Sequence, residues 1–171
     1  MRIELVPIPE GLHAGVAVGL LDGEPLVYEE RTARVRGRPL QHGEIADALI
    51  EAVDVAATKV LGPDWSKPLA TITGLNQRTC SRDRIRQWGL PPWVLVMLAR
   101  AAATEHPRAL GHMLLGISSL RGGITELKHG ARTDAVVGKQ ARAAVEDAAE
   151  MIEWARAQRR IPGSRDQETE S

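Results

Sequence analysis

Arg78, Arg82, Arg84 and Arg86 crowd into one short stretch, LNQRTCSRDRIRQWG (residues 75–89), interleaved with Gln77, Thr79 and Ser81. Guanidinium forks, short amides and hydroxyls are the groups that bond phosphate oxygens and base edges, so this mixture suits nucleic-acid recognition. The formal net charge of the chain is zero, which on the sum alone argues against such a partner. Its distribution argues the other way. Residues 65–101 carry Lys67, Arg78, Arg82, Arg84, Arg86 and Arg100 against Asp83 alone, a local charge of +5. Residues 41–64 carry Glu44, Asp47, Glu51, Asp54 and Asp64 against Lys59, a local charge of −4.

Other residue types that could do chemistry lack the company they need. His13, His42, His106 and His112 have no ligand-like spacing to Cys, Asp or Glu. Glu44, Asp47, Glu51 and Asp54 recur at helical spacing with no His or Cys among them, which describes a solvated helix face. Cys80 is the only cysteine, so no internal disulfide can form, and with no His beside it a packed thiol is expected. GLLDG and LRGG read as a hairpin and a chain breaker rather than phosphate loops. We therefore expect no catalytic residue, metal or cofactor, and not an enzyme. The first residues, MRIELVPIPEG, lack a basic segment followed by an apolar run, and no stretch reaches the roughly 20 apolar residues of a membrane helix. A cytoplasmic protein without a membrane partner is expected.

The elements that must position the arginines follow from periodicity. Apolar residues are 43% of the 171 positions and aromatics only 3%, so Leu, Val, Ile and Ala must build the core. IELVPIP, HAGVAVGLL and EPLVYEERTARV predict three strands, with Asp22-Gly23 as a tight hairpin between the last two. RGRPLQHG is expected to be a connector. From Glu44 to Leu61, apolar residues at 3–4 residue spacing predict a helix. Ser66 with Pro68 suits the start of another, and PPWVLVMLARAAATEH and PRALGHMLLGISSL predict two more. Residues 137–160 form a last helix, with Ala141, Ala144, Ala148, Met151 and Ala155 in a 3-4-3-4 seam flanked by Val145 and Ile152. The tail IPGSRDQETES should be disordered.

A helix-turn-helix needs a small residue in its first helix, a glycine at positive φ in the turn, and a short polar cap on the second helix. Ala70, Gly74 and Asn76 meet these needs, Leu75 is an apolar plug, and Gln77, Arg78, Ser81 and Arg82 would share a face of the second helix. On these residues the stretch LGPDWSKPLATITGLNQRTCSRDRIRQWGLPPWVLVMLARAA resembles the repressor-type helix-turn-helix proteins of bacteria and phages, over residues 44–104. The resemblance implies a sequence-specific reader of double-stranded DNA, a transcriptional regulator that acts as a homodimer. Bases would be read by Gln77, Arg78, Ser81 and Arg82, and phosphates held by Lys67, Thr79, Arg84 and Arg86. Asp83 departs from the family, which keeps an apolar residue there; either Asp83 pairs with an arginine or Ile85 takes the inward place.

Two alternatives use other parts of the chain. LATIT (residues 69–73) could be a strand, giving three strands, a helix and a fourth strand, the opening order of the ribonuclease-H-like fold. The metal-binding acids of that fold's nucleases are missing, so this would be a non-catalytic scaffold or interaction protein. Residues 106–160 are weakly similar to the C-terminal helical domain of abortive-infection proteins, whose ribonucleases pair an Arg with a nearby His. Arg121 and His129 are spaced too widely for that pattern. The expected architecture is α+β: a three-stranded N-terminal β-meander (residues 1–40), a central helix-turn-helix unit (41–105), C-terminal helices (106–160) and a disordered tail (161–171).

Overall fold

The computed structural model describes residues 1–9, 14–123 and 130–158. The chain divides into two compact units, residues 1–118 and 119–171. The first is α+β. Its sheet is an antiparallel meander of five strands in chain order: β1 (Ile3–Glu4), β2 (Val16–Leu21), β3 (Glu24–Glu29), β4 (Thr32–Val35) and β5 (Arg38–Leu40).

Five strands replace the three expected, because the predicted third strand reverses once within itself and the chain reverses again just beyond its end. Its first reversal is at Glu30-Arg31, where Glu30 takes φ 55° without a glycine to mark the bend. The second, at Arg36-Gly37 (φ 49° and 77°), lies in the segment expected to be a connector and repeats the backbone of the anticipated Asp22-Gly23 turn (φ 49° and 87°). Along β3, Leu26 and Tyr28 face inward while Glu29 faces out. Burial pushes the Tyr28 hydroxyl up to about 12. In β2 the pairing shifts between Ala17 and Gly19, a bulge that turns both Val18 and Leu21 into the core.

The sheet lies against two helices. The first, α1 (His42–Leu61), opens on Gln41, whose amide donates to the Glu44 carboxylate at 2.6 Å. Its apolar face, including Ile45, Leu49, Val53 and Val60, is buried as the periodicity predicts. Helix α1 packs on β1 and also on α2 (Ser66–Thr73), α3 (Arg82–Trp88) and α4 (Pro92–Ala102); α4 covers β2. Trp65, Leu69, Ile85, Leu95 and Leu98 are fully enclosed where these helices meet. Burying each such side chain is worth about 1.5–3 kcal/mol. The Lys59 ammonium donates to the Ala102 carbonyl at 2.7 Å, placing a cation at the negative end of α4.

Residues 66–73 are helical, so the strand that the ribonuclease-H-like alternative requires is absent. The helix ends where expected: Gly74 takes φ 71°, ψ 9°, and its amide donates to the Ala70 carbonyl. Helix α5 (Pro107–Gly123) follows α4, and Gly111 lets it press on the end of α1, since a Cβ there would collide with the Val60 carbonyl oxygen. The second unit contains α6 (Gly130–Gln158), a helix of 29 residues that takes in the predicted seam. The tail expected at residues 161–171 lies outside the described residues. No helix among the described residues is long and apolar enough to cross a membrane.

Candidate nucleic-acid interface

The expected second motif helix, capped by Asn76 and beginning at Gln77, is not formed; α3 begins at Arg82. Three facts account for the delay. Asn76 Oδ1 accepts the Arg78 amide at 2.8 Å, so Asn76 caps a tight turn instead of a helix. The amides of Thr79, Cys80 and Ser81 then donate to the carbonyls of Asn76, Gln77 and Arg78, three residues back, which winds the chain too tightly for an α-helix. Finally, Ser81 adopts an extended backbone (φ −78°, ψ 147°), and its hydroxyl accepts from the Arg84 amide while donating to the Arg78 carbonyl at 2.9 Å. Ser81 is therefore the N-cap, and Asp83 in the first turn favours the helix dipole there.

The segment between α2 and α3 is pinned at its end. Cys80 is buried, as expected for a small packed residue, and its carbonyl accepts from the Ser66 hydroxyl at 2.6 Å. Burial raises the Cys80 thiol above its ordinary range, partly offset by a hydrogen bond with Thr73. Ile85 takes the inward position on α3 and Asp83 stays exposed, the second of the two arrangements the sequence allowed. At the other end of α3, His42 Nε2 lies 2.9 Å from the Arg86 carbonyl oxygen.

The arginines divide into two groups. Arg82 bonds Asp54 through Nε at 2.8 Å, reaches the Pro63 carbonyl at 3.2 Å, and lies over Trp65 with 5.0 Å to the ring centroid. Trp65 Nε1 donates to the same Asp54 oxygen at 2.9 Å. Partial burial acts to raise the Asp54 carboxyl, but hydrogen bonds from Trp65 and Arg82, with the Arg82 charge, hold it below the usual carboxylate range. One turn along, Arg86 pairs with Asp47 at 2.9 Å. Two acids of the α1 row, expected only to be solvated, thus tether α3. Lys67, Gln77, Arg78 and Thr79 are exposed, and the Arg84 guanidinium donates to Gln87 Oε1 at 3.3 Å. Among the described residues neither Lys67 nor Arg78 has a carboxylate within ion-pair range.

Trp88 and Trp93, exposed by 70% and 50%, flank the link from α3 to α4. Sequence reasoning passed over both; the signal was a tryptophan in a polar setting, RQWG, and another after the proline pair. Among the described residues no group of three His, Cys, Asp or Glu could hold a metal ion. His129 and the Arg121 side chain lie outside the described residues. Neither protein-family models, curated proteins nor solved structures contain a match to this chain.

Proposed function

We propose that residues 66–88 form a binding surface for duplex DNA and that the protein is a sequence-specific regulator in a bacterium or phage. The observation that carries this reading is the division among the cations. Carboxylates of α1 hold Arg82 and Arg86 and so set the attitude of α3, whereas Gln77, Arg78 and Thr79, on the segment before it, are exposed and their side chains have no ion pair among the described residues. A rigid base presenting exposed amide and guanidinium groups is what base-edge recognition needs. In this reading Arg78 and Gln77 contact bases, and Lys67, Thr79 and Arg84 contact phosphates. Ser81, as N-cap, and Arg82 and Arg86, through their ion pairs, position that set rather than touch DNA.

The test is salt-titrated binding to genomic DNA fragments. The two cations placed on phosphates, Lys67 and Arg84, predict a slope of log affinity against log salt of about −2 per copy of the chain. Arg78→Ala should cost about 1–3 kcal/mol on a selected site and much less on random DNA. Equal losses on both would make Arg78 a phosphate contact, and no binding at low salt would end the proposal. Exposed Trp88 and Trp93 beside α3 favour a second reading, recognition of another protein, because Trp and Arg dominate the energetics of protein interfaces. No DNA binding at low salt, together with capture of a protein partner that is lost in Trp88→Ala, would favour it.

A further inference from the structure

We infer that the open edge of β1, together with the face of α1 beside it, pairs with the same surface of a second copy of this chain. This stands apart from the DNA reading and would hold if that reading failed. Strand β1 is the outermost of the sheet, and between it and α1 runs a groove of about 650 Å³. The carbonyls of Arg2 and Glu4 face β2: the first accepts the Asp22 amide, and the second lies where a Cβ on Gly19 would collide with it. Alternation along the strand turns the amides and carbonyls of Ile3 and Leu5 to the open side. Among the described residues no hydrogen bond takes up those groups. Pro7, next in the alternation, has no N–H, so the edge is short.

Charge on both walls of the groove specifies the occupant. Among the described residues the charged groups lining it are Arg2 and Glu4 from β1 and Glu51 and Lys59 from α1. Arg2 and Glu4 share the outward face of β1, paired at 3.2 Å, while Ile3 between them points into the core. When two β1 strands pair antiparallel with Ile3 against Ile3, Arg2 of each copy stands directly opposite Glu4 of the other on that same face. A shift of two residues sets Glu4 against Glu4, and parallel pairing sets like against like at both positions. The antiparallel pair is generated by a two-fold axis normal to the sheet, which brings the two α1 helices to one face, running in opposite directions. There Glu51, Val55 and Lys59 make a single stripe at four-residue spacing, and reversing it about Val55 sets Glu51 against Lys59. Val55 is 67% exposed at the centre of the stripe, and Ala52 and Ala56 beside it let the helices approach closely. Strand and helix are thus complementary to themselves in the same sense.

A short edge and one helix stripe bury less than the roughly 1,600 Å² of a standard interface, so light scattering should show the mass rise from monomer to dimer only toward about 500 μM. Val55→Asp, at an exposed position, should melt like the parent and weaken association by about tenfold or more. Arg2→Glu and Glu4→Arg should each weaken it, and the double variant, which reverses both charges, should restore it. Amide exchange at Ile3 and Leu5 should slow as the dimer forms, with exchange in β3 unchanged. A parent that stays monomeric throughout the series would overturn the inference and leave the edge to a foreign strand. So would a dimer indifferent to Val55→Asp or to the single charge reversals, or one that the double reversal fails to restore.

Discussion

Helix α3 and the segment preceding it are drawn from the same residue types yet behave oppositely. Arg82 and Arg86 are tied to Asp54 and Asp47 of α1, and Arg82 also covers the buried Trp65. Arg78, only four residues before Arg82, is exposed and has no acid near it among the described residues. The difference teaches that local charge does not specify role. An arginine's part is set by what lies within its reach: α1 carboxylates meet Arg82 and Arg86, and among the described residues none pairs with Arg78.

The sharpest way to break the contrast is to remove its foundation. Trp65→Ala should destabilise the protein by about 3–5 kcal/mol, because it opens a cavity and strips Asp54 of a donor. Urea denaturation would show this as a lower midpoint with an unchanged slope; a midpoint like the parent's would mean that the Trp65 site collapses freely. Gly74→Val should cost roughly 1–3 kcal/mol, the strain of a β-branched residue at φ 71°, since the space around Gly74 is open and no clash adds to it. Parent-like melting would contradict the left-handed turn.

Arg82→Ala should cost about 1–2 kcal/mol, the loss of a charge-assisted hydrogen bond and a ring contact at a half-exposed site. Arg78→Ala, by contrast, should leave stability within about 0.5 kcal/mol of the parent. Equal thermal shifts in these two variants would erase the distinction between anchored and free. The smallest effect is in acid. The Asp54 carboxyl is held lower in the folded state than in the unfolded chain, so the unfolded state binds the proton more readily. Its stabilising contribution is present above the ordinary carboxylate range and is lost as pH falls through the folded value. A pH titration of stability should therefore decline less steeply in Asp54→Asn than in the parent below pH about 4. Identical acid limbs would show that Asp54 contributes no linkage.

Local signals read well from the chain, and long-range ones did not. The α1 face, the Asp22-Gly23 hairpin, the left-handed Gly74 and the helices opening at Ser66 and Pro92 each follow from residues a few positions apart. The extra strands leave little local signal, because Glu30 adopts positive φ without the glycine that announces it, and because Arg36-Gly37 sits in the polar, proline-containing composition of a connector. The start of α3 was misplaced because Asn76 and Ser81 are both good caps by type. What decides between them is the burial of Cys80 and the grip of Ser66, a residue 14 positions away, on its carbonyl. The pairing of Asp54 with Arg82, 28 positions apart, lies beyond any local pattern. Among the residues proposed to meet DNA, chemical type and exposure were legible; which arginines would be bound from behind was not.

The meander has a kinetic consequence. Each strand from β3 to β5 pairs with the one just before it through a two-residue turn, so these ladders close with almost no chain between their ends. Short closures lose little entropy before contacts reward them, which favours early zipping outward from Asp22-Gly23. Strand β1 is different: only Ile3 and Glu4 pair, with Leu21 and Leu20, across a much longer excursion. The Arg2 amide donates to the Asp22 carboxylate at 2.7 Å, and the Asp22 amide returns a bond to the Arg2 carbonyl at 2.9 Å. The turn that starts the sheet is thus also the dock for its last strand, and amide exchange at β1 should run ahead of exchange at β2 and β3.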